Sequence, residues 1–251
     1  MAGSGVDVKL VGMIESPFVV RAMIALNLKR VQYEFLEEKF GCKSDLLVRS
    51  NPVYKKMPVL IHQGRPICES MIIVEYLDQV WPGDHDHATG TNSILPSTPY
   101  QAAIARFWAH YIDDKWLPKL IEVMKGETEE AKAEAAKQVI SGLQLLEEVF
   151  EQCSDGKAFF GGDTIGYLDI ALGCFITWIK ATEKISGFKL LQQELTPLLV
   201  AWAQCFCLHV AVKDVMPETD RLVEHAKRIR AWRIEAKATE NNAAAASTTD
   251  T

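Results

Sequence analysis

The order of strand and helix signals changes once along this chain, and that change limits the folds that its 251 residues can adopt. In the first third, short apolar or alternating runs typical of strands lie between stretches with helical spacing, in the order β-α-β-α-β-β-α. A segment rich in Pro, Gly and small polar residues follows over 83–97, and nearly every later stretch has helical spacing. The sequence therefore predicts a first domain over residues 7–82, a linker, and an all-α domain over 98–236.

The strand pattern of the first domain predicts a mixed four-stranded sheet. The strands over 8–11 and 32–36 are joined by a helix, and a connection of this kind is a right-handed crossover between parallel strands. Two later strands are separated only by Gln63-Gly64-Arg65, which indicates an antiparallel hairpin. The predicted fold is therefore a thioredoxin-like α/β N-terminal domain followed by an all-α C-terminal domain.

Composition and charge disfavour several classes of protein. The formal net charge of −6 argues against a nucleic-acid-binding role, and it requires that any anionic ligand meet locally concentrated positive charge. The apolar stretches are shorter than the roughly 20 residues that cross a bilayer, and the N-terminus lacks the pattern of a secretion signal. The six cysteines are not spaced as a disulfide framework. We therefore expect a reduced cytoplasmic protein that binds neither membranes nor nucleic acid.

Two segments are predicted to carry no functional site. The run Asp-His-Asp-His over 84–87 has metal-ligating residue types, but it lies in the linker without a second pair of ligands, so we expect no metal site. The last residues, 237–251, contain few large apolar groups and predict a disordered tail.

Five segments, in this order along the chain, resemble the tau-class glutathione S-transferases of plants. They are Ser16-Pro17-Phe18 with Arg21, the runs over 51–60 and 66–78, Ala105-Arg106-Phe107-Trp108, and Gly166-Tyr167-Leu168-Asp169-Ile170. The resemblance covers residues 7–236. It implies a homodimeric enzyme that conjugates the glutathione thiol to apolar electrophiles and also reduces organic hydroperoxides. Glutathione is then a co-substrate, and no cofactor is expected.

Ser16 is the candidate catalytic residue, at the junction between the first strand and the first helix. A free thiol has a pKa of about 8.5, and lowering it by one to two units requires about 1.4 to 2.7 kcal/mol of preference for the thiolate. One hydrogen bond to a charged group supplies about 1.5 to 3 kcal/mol, and a helix N-terminus adds about 0.3 to 1 kcal/mol. The alternative is that Ser16 only caps the helix. The resemblance favours the catalytic role.

The resemblance places glutathione contacts on two further segments. Met57-Pro58 resembles the cis-proline junction of the family, where the Met57 backbone would pair with the cysteinyl part of glutathione like an added strand. Glu69 and Ser70 begin a helix directly after a strand, where Ser70 can donate to the γ-glutamyl carboxylate and Glu69 can accept from the α-ammonium group. A plain helix cap is the structural alternative.

The glycyl carboxylate of glutathione needs a cation. Lys43 and Lys56 are predicted to face it, with Lys55 as a less favoured substitute for Lys56. For the second, apolar substrate the helical domain offers aromatic side chains. The candidates for that pocket are Phe18, Tyr111, Trp116, Trp178 and Phe206.

Two other functions remain open at this stage. A ligandin would bind and transport apolar metabolites with little turnover. A thiol-disulfide reductase would need a reactive thiol near the first helix, and the nearby Cys42 and Cys68 both lack a CxxC context.

Overall fold

The structure, a computed structural model, describes residues 7–82 and 93–247, with side chains up to residue 235. The first domain contains β1 (Val8–Gly12), α1 (Pro17–Leu28), β2 (Glu34–Glu37), α2 (Asp45–Ser50), β3 (Val59–His62), β4 (Arg65–Cys68) and α3 (Ser70–Val80). The second contains α4 (Pro99–Tyr111), a π-helical turn (Ile112–Trp116), α5 (Leu117–Lys125), α6 (Glu129–Ser154), α7 (Tyr167–Gly173), α8 (Ile176–Ser186), α9 (Pro197–Leu208) and α10 (Thr219–Ser247). Both parts of the predicted fold class are confirmed.

The sheet has the strand order β2-β1-β3-β4. Strand β1 pairs in parallel with β2 and antiparallel with β3, and β3 forms the predicted hairpin with β4. Helices α1 and α3 pack against each other, and their inward apolar residues are buried with those of β1. The same apolar core continues into α5, α6, α7 and α9, so the two domains share one buried interior.

The helices of the second domain are shorter than their apolar periodicity suggests. The helical stretch over 167–182 is two helices, because the chain bends at Cys174 and Phe175. Helix α9 begins only at Pro197, which lacks an N–H and therefore suits a first turn. Asp169 lies in the first turn of α7. Its buried carboxylate accepts hydrogen bonds from the N–H of Gly166 at 2.8 Å and from Trp202 Nε1 at 2.7 Å.

The predicted linker and tail both differ from the structure. Part of the predicted linker is fastened to the first domain, because Asp78 accepts hydrogen bonds from the N–H groups of Ile94 and Leu95 at 2.8 and 2.9 Å. Residues 84–87 lie outside the described residues. The prediction of a disordered tail is wrong up to Ser247, because α10 continues that far through a run of Ala, the residue with the highest helix propensity. Among the described residues, no helix is long and apolar enough to cross a membrane.

Candidate active site

One end of the sheet collects the predicted glutathione-binding segments. Val59, the first residue of β3, pairs with Val11 of β1 on one side and with Cys68 of β4 on the other. Because both pairs are antiparallel, the segment before Val59 lies next to the segments that follow β1 and β4. The register therefore brings Met57-Pro58, Ser16 and Glu69-Ser70 to one edge of the sheet.

Ser16 is the N-cap residue of α1 and is half-buried. Its carbonyl oxygen accepts from the N–H groups of Val19 and Val20 at 3.0 and 3.1 Å, but its hydroxyl forms no capping hydrogen bond. The turn before it is tight, because a Cβ on Gly12 would lie 2.5 Å from a methyl group of Val19. The backbone thus starts the helix without the hydroxyl, which leaves the hydroxyl available to a ligand.

A cavity of about 280 Å³ opens next to Ser16. Phe18 and Trp178, two of the predicted aromatic residues, form part of its wall together with Phe175. Most of the remaining wall is aliphatic and comes from two helices that converge on Ser16. The lining residues from α5 and α10 are Leu117, Leu120, Ile121, Met124, Lys125, His225 and Ile229.

The predictions that Trp116 and Phe206 line the substrate pocket are wrong. Trp116 is 2 % exposed, and its Nε1 donates to the carbonyl oxygen of Val139 at 3.2 Å, so the ring is part of the core. Phe206 is fully buried, with its ring beside Trp202. Both side chains point from their helices into the shared interior. Tyr111 is half-buried beside Trp108 and is not part of the cavity wall, so its contact with substrate stays a prediction.

The Met57–Pro58 peptide bond is cis. Asn51, which is 3 % exposed, shapes the loop before it by donating from Nδ2 to the carbonyl oxygen of Lys56 at 2.9 Å. The Lys56 side chain is exposed in this loop. Lys43 is also exposed, in the loop that precedes α2. Both cations are therefore free of the core, on loops that follow β2 or precede β3.

Glu69 and Ser70 lie where α3 begins. Glu69 is the N-cap residue with a φ of 71°, and Ser70 is buried at the first helical position. Arg21 Nη1 donates to Ser70 Oγ at 3.3 Å. Since a hydroxyl also has one proton to donate, this contact leaves the Ser70 O–H free to donate elsewhere.

Arg21 is the centre of a buried polar network that sequence reasoning missed. Its guanidinium, fully buried on α1, binds both carboxylate oxygens of Asp113 at 2.8 and 2.6 Å. It also donates to the carbonyl oxygen of Ala171 at 2.7 Å and to Cys174 Sγ at 3.2 Å. A charged residue in the middle of the apolar α1 sequence is the one signal that could have indicated this role.

A second network, also missed, holds the residue immediately before Ser16. Glu15 is 4 % exposed, and its carboxylate lies 3.0 Å from Arg221 and 3.7 Å from Arg228, both on α10. Burial alone would raise the pKa of Glu15, but hydrogen bonds from its own backbone and from Arg221 outweigh burial and lower it. Trp178 Nε1 donates to the Glu15 carbonyl oxygen at 3.0 Å. The turn that carries Glu15 and Ser16 is thus fixed to α8 and α10.

The structure offers little support for a reactive cysteine thiol at this edge of the sheet. All six cysteines are free thiols. Burial and the charge of Glu69 raise the pKa of Cys68, the thiol closest to the edge in sequence. Burial raises the pKa of Cys174 to about 12. A raised pKa keeps these two thiols protonated and weakly nucleophilic at neutral pH.

A larger cavity of about 670 Å³ lies between α4, the end of α6 and the loop before α7. Neither Ser16 nor any of the predicted glutathione-binding residues is part of its wall. The smaller cavity, next to Ser16 and the converging sheet segments, is therefore the candidate active site.

The chain is similar throughout to enzymes of one family. Residues 6–79 match the model of the glutathione S-transferase N-terminal domain, and residues 107–208 match that of its C-terminal domain. Glutathione S-transferase U17 of Arabidopsis thaliana is 54 % identical over 223 residues, which are 89 % of this chain and 96 % of the relative.

Two solved structures extend the comparison. The tau-class glutathione S-transferase of mango, Mangifera indica, is 56 % identical with a TM-score of 0.83, over 88 % of this chain and 97 % of its own. Rice GST1, solved in complex with glutathione, is 33 % identical with a TM-score of 0.79, over 90 % of this chain and 98 % of its own. On this evidence, the chain belongs to the glutathione S-transferase family and is an enzyme of its tau class.

Proposed function

We propose that Ser16 is the residue that activates glutathione, by donating a hydrogen bond from its hydroxyl to the glutathione sulfur. The supporting observation is that Ser16 begins α1 on the wall of an apolar cavity while its hydroxyl forms no capping hydrogen bond. One hydrogen bond to a charged acceptor is worth about 1.5 to 3 kcal/mol. That is enough to lower the pKa of the thiol by about one to two units.

The rest of glutathione would lie along the same edge of the sheet. The Met57 backbone, next to cis Pro58, would pair with the cysteinyl residue. Ser70, whose Oγ already accepts from Arg21, would donate to the γ-glutamyl carboxylate. Glu69 would accept from the α-ammonium group, because it is exposed at the helix start.

The glycyl carboxylate would lie near Lys43 and Lys56. Both lysines are exposed on loops next to this edge, so they can approach an anion without leaving a buried partner. This arrangement would supply the local positive charge that an acidic chain needs to bind an anionic tripeptide.

The second substrate would enter the 280 Å³ cavity. The thiolate attacks an electrophilic carbon, a C–S bond forms, and the electron pair leaves with the departing group or moves onto a conjugated carbonyl. Phe18 and Trp178 would contact the electrophile from the cavity wall. Tyr111, which lies outside that wall, stays a further predicted contact. The same thiolate would also reduce an organic hydroperoxide by attacking its terminal oxygen, which breaks the O–O bond and releases the alcohol. The sulfenic acid formed on glutathione would then react with a second glutathione to give the disulfide and water.

The experiment that tests Ser16 compares the wild type with Ser16→Ala and Ser16→Thr. Turnover of 1-chloro-2,4-dinitrobenzene and the ultraviolet absorbance of bound thiolate are followed against pH. We expect Ser16→Ala to raise the pKa of bound glutathione by about one to two units and to lower kcat/KM at pH 7 about 10- to 100-fold. Ser16→Thr keeps a hydroxyl and should retain more activity. Unchanged titration and turnover in Ser16→Ala would contradict the proposed role.

We also propose that the chain acts as a homodimer in the cytoplasm. Several large apolar side chains of the described residues are more than half exposed on the single chain, among them Val53, Tyr54, Ile72, Tyr100 and Phe107. Apolar surface of this kind favours burial in an interface, and six free thiols suit a reducing compartment. Light scattering on a sizing column should give about twice the 28.1 kDa of one chain; a single-chain mass would contradict the dimer.

A further inference from the structure

The two helices that line the Ser16 cavity, α5 and α10, each carry a cation near its wall. Lys125, the last residue of α5, is exposed and forms part of the cavity wall. Arg233 lies on α10, one turn beyond Ile229 and two beyond His225, which both line the cavity. Residues four apart share one face of a helix, so Arg233 continues the face of α10 that lines the cavity. Partial burial and the charge of Arg233 lower the pKa of Lys125, which indicates that the two cations repel each other.

These two cations lack the compensation that other basic residues nearby have. Lys119 on the same helix pairs with Glu122 at 2.9 Å, and Arg221 on α10 pairs with Glu15 at 3.0 Å. Across residues 7–82 and 93–235, no carboxylate lies within 4.0 Å of the charged nitrogens of Lys125 or Arg233. An anion placed between them would remove their repulsion.

The wall of the Ser16 cavity is mostly apolar. Leu117, Leu120 and Met124 line it from α5, and Ile229 lines it from α10. Apolar side chains of this kind select the body of a ligand by burial, whereas charged groups at the rim select its polar end and its orientation. The combination fits a ligand with one apolar part and one anionic part.

We propose that the electrophile conjugated by this enzyme is an amphipathic anion, an apolar molecule that carries a carboxylate. Its apolar body would occupy the cavity and its carboxylate would lie between Lys125 and Arg233. This inference rests on the proposed function, since it assigns the substrate class of the same cavity. The carboxylate takes no part in bond making. It orients the electrophilic carbon toward the sulfur that Ser16 holds.

The two carboxylates of glutathione itself do not require these cations. The proposed contacts for them are Ser70 on one side and Lys43 with Lys56 on the other, all on segments next to the sheet. Lys125 and Arg233 belong instead to α5 and α10. Loss of either cation should therefore leave the KM for glutathione unchanged.

A matched pair of probes tests the proposal. 4-Chloro-3,5-dinitrobenzoate and its methyl ester share one reactive centre, where the C–S bond forms and chloride leaves with the electron pair. Each kcat/KM is divided by the uncatalysed rate with glutathione, which removes the difference in intrinsic reactivity. The variants are Lys125→Met, Arg233→Met and Lys125→Glu, and Lys119→Met is the control on the same helix.

We expect Lys125→Met and Arg233→Met each to lower the ratio of the corrected kcat/KM for the acid to that for the ester about fivefold, as for a partly exposed ion pair. Lys125→Glu should lower it further, because it adds repulsion. Lys119→Met should change neither probe. Added salt should weaken turnover of the acid alone, because it screens exposed charges.

Several outcomes would overturn the proposal. Equal effects on acid and ester would show that the cations only shape the cavity. A raised KM for glutathione would assign Lys125 or Arg233 to the tripeptide. Unchanged turnover of both probes in every variant would leave the two cations without a role in substrate selection. If the wild type conjugated neither the acid nor the ester, the proposed function of the cavity would itself be wrong. Turnover of the ester by the wild type distinguishes that outcome from failure of the proposed anion site alone.

Discussion

Arg221 Nε donates to Glu15 Oε1 at 3.0 Å and so joins α10 to the residue directly before Ser16. The two residues are 206 positions apart in the chain. Glu15 is 4 % exposed, whereas half of the Arg221 side chain is exposed, so a buried carboxylate is held by a cation that reaches in from the surface. The turn that carries Ser16 therefore depends on the docking of a helix near the other end of the chain.

Arg221→Ala tests this dependence. We expect the free energy of unfolding to fall by about 1 kcal/mol, because Arg228 at 3.7 Å keeps part of the compensation and the lost partner is half exposed. We also expect kcat/KM to fall about threefold, since the turn that carries Ser16 is less well positioned. Urea unfolding and conjugation kinetics measure the two effects.

The matched control is Lys184→Ala, which breaks the exposed pair between Lys184 on α8 and Asp220 on α10. Its effect on stability and on turnover should be small. Equal losses in the two variants would mean that any contact to α10 matters equally, and that Glu15 has no special role.

The lowered pKa of Glu15 predicts a pH dependence of stability with a defined sign. A carboxyl whose pKa in the folded state is below its ordinary value, near 4.5, stabilises the fold above that pH. This contribution is lost as the pH falls through the folded-state pKa. The stability difference between wild type and Glu15→Gln should therefore be largest above about pH 5 and shrink toward about pH 3.

Urea unfolding of both proteins at a series of pH values measures this difference. His225, whose pKa is lowered by burial, is present in both proteins, so the difference reports Glu15 and its coupling to His225. A difference that stays constant across the series would show that the Glu15 charge contributes nothing to stability.

Arg21→Lys should destabilise the fold strongly, although the substitution keeps the positive charge. Lysine cannot bind both oxygens of Asp113 and also reach Ser70 and Ala171. Loss of a buried, multiply bonded guanidinium should cost about 3 kcal/mol in the free energy of unfolding. Arg106→Lys is the control, because Arg106 pairs with Glu75 in the same two-bond geometry on an exposed surface. A similar small loss in both variants would contradict the structural role of Arg21.

Gly173→Ala tests the core position of Phe206. A Cβ on Gly173 would lie 2.3 Å from the Phe206 ring, so the ring or the helix must shift. Overpacking of this kind costs about 1 to 3 kcal/mol. The double variant Gly173→Ala with Phe206→Leu should lose less stability than the two single variants added together, and strict additivity would place the ring elsewhere.

Much of the fold could be predicted from local sequence. Strands and helices in the first domain follow from period and turn chemistry, and the hairpin follows from Gln63-Gly64-Arg65, because each of these signals acts within a few residues. The sequence-based predictions were wrong where a local pattern of apolar residues conflicts with tertiary packing or with helix propensity. The Ala run beyond residue 236 lacks core-forming groups, yet α10 continues through it to Ser247.

The candidate site likewise has features that local sequence predicts and others that arise from tertiary packing. Local sequence signals place Ser16 at the start of a helix after a strand, and the composition supplies cations and aromatic residues for the substrates. The packing of the helices is what makes Trp178 line the cavity while Trp116 is buried in the core. It alone decided that Arg221 would reach Glu15. The physical reason is that helical spacing marks a face as apolar without naming its partner, and partners so far apart in sequence meet only when whole helices pack.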